Sequence, residues 1–239
     1  MDIPVFLNED VYKQGIRMYE TWAPERVPHI AASGATGQGK TYALKLLLAK
    51  TCKYVPDVQI TVCDFKGDED FSFLSGCHRF YRFDECIEGL KSFYESFVAI
   101  QKNPPKYRPM RILLYDEFAA TLAFADKKTA EDLKRMVSSL LMLSRGFNFH
   151  IILSQQRLSA DSFICGSRDN LNMLLTLGNI SKEVAGMLYS DYKDEIIPDR
   201  TRGTGYMLIN ASEFKRIIVP TISNMDKVNQ VIKEAVERE

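Results

Sequence analysis

The eight residues Gly34–Thr41 constrain this chain more than any other segment. Their sequence, GATGQGKT, matches the pattern G-x-x-x-x-G-K-[ST] in full. A short apolar run precedes the motif and a helix-forming run opens at Lys40, which a chance Gly-rich turn would not require. In this setting the backbone N–H groups of the loop point at phosphate oxygens at the amino end of a helix. The sequence therefore predicts a phosphate-binding loop.

The residues of this loop have separate predicted roles in binding ATP and Mg²⁺, the expected cofactors. Lys40 is predicted to neutralise the β- and γ-phosphates, and the Thr41 hydroxyl to be a ligand of Mg²⁺. We assign Tyr42, the next residue, to the same site. The predicted nucleotide-binding residues are Gly34, Ala35, Thr36, Gly37, Gln38, Gly39, Lys40, Thr41 and Tyr42.

A second apolar run, Arg111–Glu117, ends in two adjacent carboxylates. Asp116 is predicted to hold Mg²⁺ directly or through water, and Glu117 to act as the general base that activates the attacking water. An acidic pair can also be a solvated strand end, but the phosphate-binding loop in the same chain favours the catalytic interpretation. Hydrolytic motors carry this second acid, whereas kinases and many GTPases with the same loop lack it.

A third apolar run, His150–Ser154, is followed by two glutamines. An amide donates and accepts hydrogen bonds at once, so a glutamine there can orient water or sense the γ-phosphate. Gln155 and Gln156 would point to opposite faces of a continuing strand, so only one of them can do this.

The wider pattern alternates short apolar runs with longer 3.6-period segments, which is typical of an α/β fold with a mainly parallel sheet flanked by helices. Near the end, Tyr206–Ile209 and Phe214–Val219 predict a β-hairpin, and Met225–Glu237 a closing helix. No Pro/Gly/Ser-rich linker divides the chain. We expect one domain over residues 28–239, with residues 1–27 as an extension packed on it.

Composition narrows the possible partners. Lys plus Arg and Asp plus Glu are both 31, so the formal net charge is zero and any DNA contact must come from a local patch. The five cysteines include no C-x-x-C pair, which argues against a disulfide framework or a zinc site. No apolar run is long enough to cross a bilayer. A cytoplasmic protein without an intrinsic membrane segment is expected.

Several short segments follow one another in a characteristic order: VPHI (27–30), DFKG (64–67), SRGFNFH (144–150) followed by LSQQR (153–157), and GTGYML (203–208). In this order they resemble the FtsK/SpoIIIE-type DNA translocases of the FtsK–HerA superfamily. The resemblance implies a RecA-like P-loop NTPase fold and a hexameric ring around double-stranded DNA. Gln155 stands where the family usually has Thr, so the sensor role is assigned to Gln156. The chain length is similar to that of short members on plasmids, integrative elements and phages.

The resemblance also raises the question of an arginine finger, which reaches the γ-phosphate of a neighbouring subunit in ring ATPases. Arg145 is the first candidate, because it precedes the third apolar run; the alternative is a cation at a helix carboxyl end. The other candidates are Arg79, Arg82, Arg111 and Arg157.

Several functional alternatives remain open at this stage. One is a phage-type DNA packaging or extrusion ATPase, recruited by a protein at a capsid or a membrane. Another is a regulatory nucleotide-binding module with slow hydrolysis, against which Glu117 argues. The loops at Ser159–Asn170 and Asp199–Gly203 are candidate DNA contacts, although a solvated loop is the simpler interpretation of the second.

Overall fold

The computed structural model describes residues 1–156 and 158–239. Within these residues the strands are β1 Ile3–Asn8, β2 Tyr19–Trp22, β3 Ile30–Ser33, β4 Gln59–Asp64, β5 Phe80–Arg82, β6 Arg111–Asp116, β7 Phe149–Gln155, β8 Met173–Leu177, β9 Thr204–Ile209 and β10 Glu213–Ile218. The helices are α1 Glu9–Tyr12, α2 Lys40–Tyr54, α3 Glu85–Lys102, α4 Phe118–Phe124, α5 Lys127–Leu143, α6 Lys182–Leu188 and α7 Met225–Glu237.

These strands form one sheet in the order β2-β1-β10-β9-β8-β3-β7-β6-β4-β5. The six strands from β8 to β5 are parallel, and the four others are added antiparallel at one side. The carboxyl ends of β3, β6 and β7 therefore meet at one edge. The register fixes this meeting, because Ser33 pairs with Gln155 and Asp116 pairs with Ser154.

The central strands are buried on both faces, which explains why they appear in the sequence as continuous apolar runs. In β6, Ile112 and Leu114 belong to the core on the α2 and α7 side of the sheet. Leu113 and Tyr115 belong to the core formed with α3 and α5 on the other side. The predicted α/β fold, with its mainly parallel sheet, its hairpin (β9 and β10) and its closing helix (α7), is confirmed.

Residues 1–27 contribute two strands to the sheet. β1 pairs antiparallel with β10, and β2 pairs with β1. Trp22 is fully buried, and its Nε1 donates a hydrogen bond of 2.7 Å to the carbonyl of Val27. Among the helices of the described residues, none is long and apolar enough to cross a membrane.

Two histidines lie buried where β3 and β7 begin. The Nδ1 atom of His29 accepts a hydrogen bond of 3.1 Å from the backbone N–H of Ile151, so protonating it would place two donors face to face. Burial, and then the charge of His150, lowers the pKa of His29 to about 3. The folded protein therefore holds this imidazole neutral. Its contribution to stability is complete above the unfolded pKa of about 6.5 and is lost as pH falls below that value.

We predict that acid weakens the fold through His29. Between pH 7.5 and pH 5.0 this one group should cost about 2 kcal/mol of unfolding free energy, because the unfolded chain takes up a proton that the folded chain does not. His29→Asn keeps an acceptor for Ile151 but cannot titrate, so it should reduce the loss by that amount. Urea denaturation at the two pH values measures this, with His78→Asn, at an exposed position, as the control. An unchanged loss in His29→Asn would contradict the prediction.

Candidate functional site

The phosphate-binding loop lies between β3 and α2, and two of its glycines are required by the backbone. Gly34 has a φ of +148°, and a Cβ atom built on it would lie 2.7 Å from the carbonyl oxygen of Leu177. Gly39 adopts the left-handed conformation, with a φ of +91°, immediately before α2 begins at Lys40. An L side chain would be strained at either position. The sequence motif thus turns the chain sharply from strand to helix.

A cavity of about 190 Å³ opens above this loop. It contains the predicted phosphate, metal and base residues together, since three strand ends and the start of α2 converge there. The lining residues are Ala35, Thr36, Gly37, Gly39, Lys40, Thr41, Tyr42, Lys45, Lys66, Asp70, Asp116, Glu117, Gln156, Arg202 and Met225. Gly34 and Gln38 shape the loop without lining the cavity. Tyr42 also fixes the far wall, because its hydroxyl accepts a hydrogen bond from the N–H of Ile222.

Lys40 and Glu117 are in direct contact. The Nζ atom of Lys40 lies 3.3 Å from Oε1 of Glu117, and the two side chains are only 12% and 15% exposed. Lys40 belongs to the phosphate loop and Glu117 follows β6, so their side chains meet inside the cavity. The group that would neutralise a γ-phosphate therefore lies next to the group that would activate water.

The backbone of Glu117 is strained. Its φ and ψ are 59° and 46°, the left-handed region, which costs a non-glycine residue about 1–2 kcal/mol. A hydrogen bond of 2.6 Å from its N–H to the carbonyl of Ser154 holds the turn between β6 and α4. Strain maintained by the surrounding structure is characteristic of functional sites.

Asp116 lies beside Glu117 and is held by β7. The hydroxyl of Ser154 donates a hydrogen bond to its Oδ1 atom. Burial raises the pKa of Asp116 to about 6, although the Ser154 hydrogen bond and the charge of Lys40 oppose this rise.

The donor set at this point suits Mg²⁺. A threonine hydroxyl (Thr41) and a carboxylate (Asp116) line the same cavity, and both present the hard oxygen ligands that Mg²⁺ prefers. Among the described residues no group of three His, Cys, Asp or Glu side chains could hold a metal alone. Mg²⁺ commonly needs only one or two carboxylates when substrate phosphates complete its shell.

The two glutamines at the end of β7 lie in different environments. Gln155 is 1% exposed, and its amide has no hydrogen-bond partner among the described residues. Gln156 is exposed and lines the nucleotide cavity. The position of Gln156 is the one that a water-orienting or sensor residue needs. Arg157, an arginine-finger candidate, lies outside the described residues.

Arg145 lies far from this cavity. Helix α5 ends at Leu143, and Arg145 lies in a short turn before β7. Its Nε atom donates a hydrogen bond of 2.8 Å to the carbonyl of Glu25. The seven residues of β7 separate this end of the sheet from the nucleotide cavity by roughly 20 Å. Arg145 therefore cannot act on the nucleotide of its own chain, and its role as an arginine finger toward a neighbouring chain stays a prediction.

Arg202 is a cavity residue that the sequence motifs did not single out. The loop 199–203, for which solvation was the simpler interpretation, exposes Asp199, Thr201 and Arg202. It also contacts the phosphate loop, because the N–H of Gly203 donates a hydrogen bond of 3.4 Å to the carbonyl of Gln38. Arg202 enters the cavity from this loop and adds a positive charge to that of Lys40. The position of Arg202 depends on packing between distant segments, and no local sequence pattern predicts it.

A buried ion pair anchors the loop of Arg202. Nη1 of Arg200 lies 2.6 Å from Oε2 of Glu9, with the two side chains 4% and 7% exposed. The Nη2 atom of Arg200 also donates a hydrogen bond of 2.8 Å to the carbonyl of Gly205. Burial acts to raise the pKa of Glu9, but hydrogen bonds from Lys13 and Arg200 outweigh it and lower that pKa below its ordinary value. The N-terminal segment is thereby connected to the nucleotide site.

Comparison with known proteins agrees with this geometry. The FtsK domain-containing protein YdcQ of Bacillus subtilis (strain 168) is 23% identical to this chain over 218 residues, which cover 84% of this chain and 45% of YdcQ. The resemblance to FtsK-type ATPases is confirmed. The chain spans about half the length of this relative. No protein-family model matches the chain.

Solved structures share the fold at low sequence identity. The pCW3 conjugation coupling protein TcpA, in its monomer form with ATPγS, has a TM-score of 0.70 and 18% identity, over 98% of this chain and 70% of TcpA. ATPases 2 and 3 of EssC from Geobacillus thermodenitrificans have a TM-score of 0.70 and 16% identity, over 99% of this chain and 48% of EssC. The genome packaging NTPase B204 from Sulfolobus turreted icosahedral virus 2 has a TM-score of 0.56 and 13% identity, over 84% of this chain and all of B204. The predicted RecA-like P-loop fold is confirmed.

We predict that breaking the buried Glu9–Arg200 pair strongly destabilises the fold. Glu9→Gln leaves the Arg200 charge buried without its partner, a change that typically costs about 3–5 kcal/mol. Glu131→Gln removes one partner of the solvent-screened Glu131–Lys134 pair and should leave stability almost unchanged. Urea denaturation of the two variants measures the difference. Equal losses of unfolding free energy in the two variants would contradict the prediction.

Proposed function

We propose that this chain is a Mg²⁺-dependent ATPase that moves double-stranded DNA. The observation that carries the proposal is the contact between Lys40 and Glu117 at the mouth of the phosphate-binding loop. It brings a phosphate-binding cation and a general base within reach of one γ-phosphate. Residues 28–239 would form the motor domain, and residues 1–27 an extension tied to it through Glu9 and Arg200.

The cavity residues divide the chemistry of hydrolysis among themselves. The loop N–H groups and Lys40 bind the phosphates, and Glu117 accepts the proton of the water that attacks the γ-phosphate. Gln156 orients this water. Thr41 and Asp116 would hold Mg²⁺, which supplies positive charge to the phosphate oxygens. Arg202 adds a second cation to the same wall.

Three observations favour a DNA motor over a regulatory module. Glu117 would supply the base that hydrolysis needs, and a hydrogen bond to the carbonyl of Ser154 holds its backbone in the left-handed conformation. The curated relative is an FtsK domain-containing protein. Structural neighbours include a conjugation coupling protein and a genome packaging NTPase. We propose that the working form is a hexameric ring in which a neighbouring chain completes each site.

The nature of the cargo allows a second candidate of the same chemistry. A DNA packaging or extrusion ATPase, recruited by a protein at a capsid or a membrane, is favoured by the similarity to B204 over 84% of this chain. The fold alone does not select the cargo, because a type VII secretion ATPase, EccC of Thermomonospora curvata, shares it with a TM-score of 0.68.

We predict that Glu117→Gln abolishes turnover but spares nucleotide binding. The amide has the shape of the carboxylate but cannot take the proton of water, so kcat should fall by about 10²–10⁴-fold. Lys40→Ala should weaken ATP binding itself, because it removes the cation that contacts the phosphates. Steady-state hydrolysis and a fluorescent-nucleotide titration separate the two effects. Glu131→Gln, on α5, is the control. Full turnover in Glu117→Gln would remove Glu117 from the mechanism.

We predict that long duplex DNA stimulates ATP hydrolysis and that single strands do not. A motor that follows the phosphate backbone of a duplex couples turnover to that geometry rather than to base sequence. The measurement is the hydrolysis rate of the purified protein with each nucleic acid at equal phosphate concentration, with Lys40→Ala as the blank. Steady turnover that is indifferent to duplex would contradict the DNA motor and favour another cargo. Tight ATP binding without turnover would favour the regulatory module.

A further inference from the structure

A second, smaller cavity lies at the opposite end of the sheet from the nucleotide site. Its volume is about 80 Å³, and it lies beneath α3, where β4, β5 and β6 begin. Six of its lining side chains carry a hydroxyl or a guanidinium group: Thr61, Arg79, Tyr81, Ser92, Ser96 and Arg111. None of its lining residues has a carboxylate. The cavity is therefore rich in donors and cations.

Arg111 has no partner for its charge. Among the described residues its guanidinium forms neither a hydrogen bond nor an ion pair, and its Nη1 atom is buried without a hydrogen-bond partner. Its guanidinium lies over the ring of Phe149, whose centroid is 5.2 Å from Cζ. A ring face compensates a cation only weakly compared with an anion.

Arg79 is only partly compensated. Its Nη2 atom donates a hydrogen bond of 3.2 Å to the carbonyl of Ala235 and another to the carbonyl of Arg238, at the carboxyl end of α7. Its Nε atom is buried and has no partner among the described residues. Burial, and then repulsion by the charge of Arg111, lowers the pKa of Arg79. The two guanidinium groups line the same cavity of about 80 Å³, so their positive charges lie near each other.

Two half-buried like charges with unused donors are unfavourable unless an anion lies between them. Arginine is the side chain best suited to such an anion, because its planar fork donates to two oxygens at once. Four hydroxyls and two forks offer more donors than the roughly four acceptor sites of one carboxylate. A tetrahedral oxyanion presents more acceptors, and in more directions.

We propose that this cavity binds a phosphate-class oxyanion between Arg79 and Arg111, with the hydroxyls of Thr61, Tyr81, Ser92 and Ser96 as additional donors. The site is separate from the nucleotide cavity of the same chain. Arg111 begins β6 and Asp116 ends it, so the six residues of that strand hold the two sites roughly 20 Å apart. The proposal does not depend on the proposed motor function.

The first experiment measures stabilisation by inorganic phosphate. It uses the full chain carrying Lys40→Ala, since that substitution removes a cation of the nucleotide loop and so weakens phosphate binding there. Phosphate should raise Tm by about 2–4 °C over chloride at the same ionic strength, and adding Arg111→Gln should abolish this rise. Arg108→Gln is the matched control, because Arg108 also lies over an aromatic ring, that of Phe147, but outside the cavity. No rise, or an equal rise with Arg111→Gln, would overturn the proposal.

A second arm identifies the source of the phosphate group. Short duplex DNA replaces inorganic phosphate at equal phosphate concentration. Stabilisation by inorganic phosphate alone would assign the site to a small free oxyanion, whose size suits a cavity of about 80 Å³. Stabilisation by duplex that Arg111→Gln removes would assign it to a phosphate of the DNA backbone.

A third measurement does not require substitution of either arginine. Crystals of the Lys40→Ala protein soaked in selenate should show an anomalous peak between Arg79 and Arg111. Selenate peaks at other positions only would overturn the proposal, even if Arg111→Gln fails to fold.

Discussion

The parallel register of β3, β7 and β6 is the constraint on which the rest of the site depends. It places Asp116 opposite Ser154, and the Ser154 hydroxyl then donates a hydrogen bond to the Asp116 carboxylate. The carbonyl of Ser154 also holds the N–H of Glu117 in its left-handed turn. Ser154 of β7 therefore holds both Asp116, which ends β6, and Glu117, which follows it. A shift of one residue in this register would turn both acids away from the phosphate loop.

The two ends of the sheet differ in the way they handle charge, although the chain as a whole has a net charge of zero. At the carboxyl end, Lys40 lies against Glu117, so a cation and an anion compensate each other inside the cavity. At the amino end, Arg79 and Arg111 lie together without an acid among the lining residues. Local placement thus creates a basic site that the overall composition conceals.

Much of the nucleotide site could be predicted from the sequence because its signals are local. The glycines at 34 and 39 are required by backbone angles within the loop itself, and Asp116 ends β6 with Glu117 directly after it. The alternation of side chains in β7 separates Gln155 from Gln156 without knowledge of other strands. The parallel α/β fold follows from the same kind of pattern.

The remaining features depend on contacts between distant segments. Arg202 lines the cavity because its loop packs on Gln38, and that loop is anchored by an ion pair between Arg200 and Glu9. β1 joins the sheet through β10, at the other end of the chain. No periodicity in either segment specifies its partner. For the same reason, the sequence does not predict that Arg79 and Arg111 line one cavity.

A strand-displacement assay tests whether ATP hydrolysis with Glu117 as the general base drives movement along a duplex. A linear duplex carries a third strand at one end, and the protein is added with ATP and Mg²⁺. The wild-type protein should release the third strand at a rate set by ATP, whereas Glu117→Gln should bind ATP and release none. If the third strand persists while the wild-type protein hydrolyses ATP at a duplex-stimulated rate, turnover occurs without translocation and the protein is not a DNA motor.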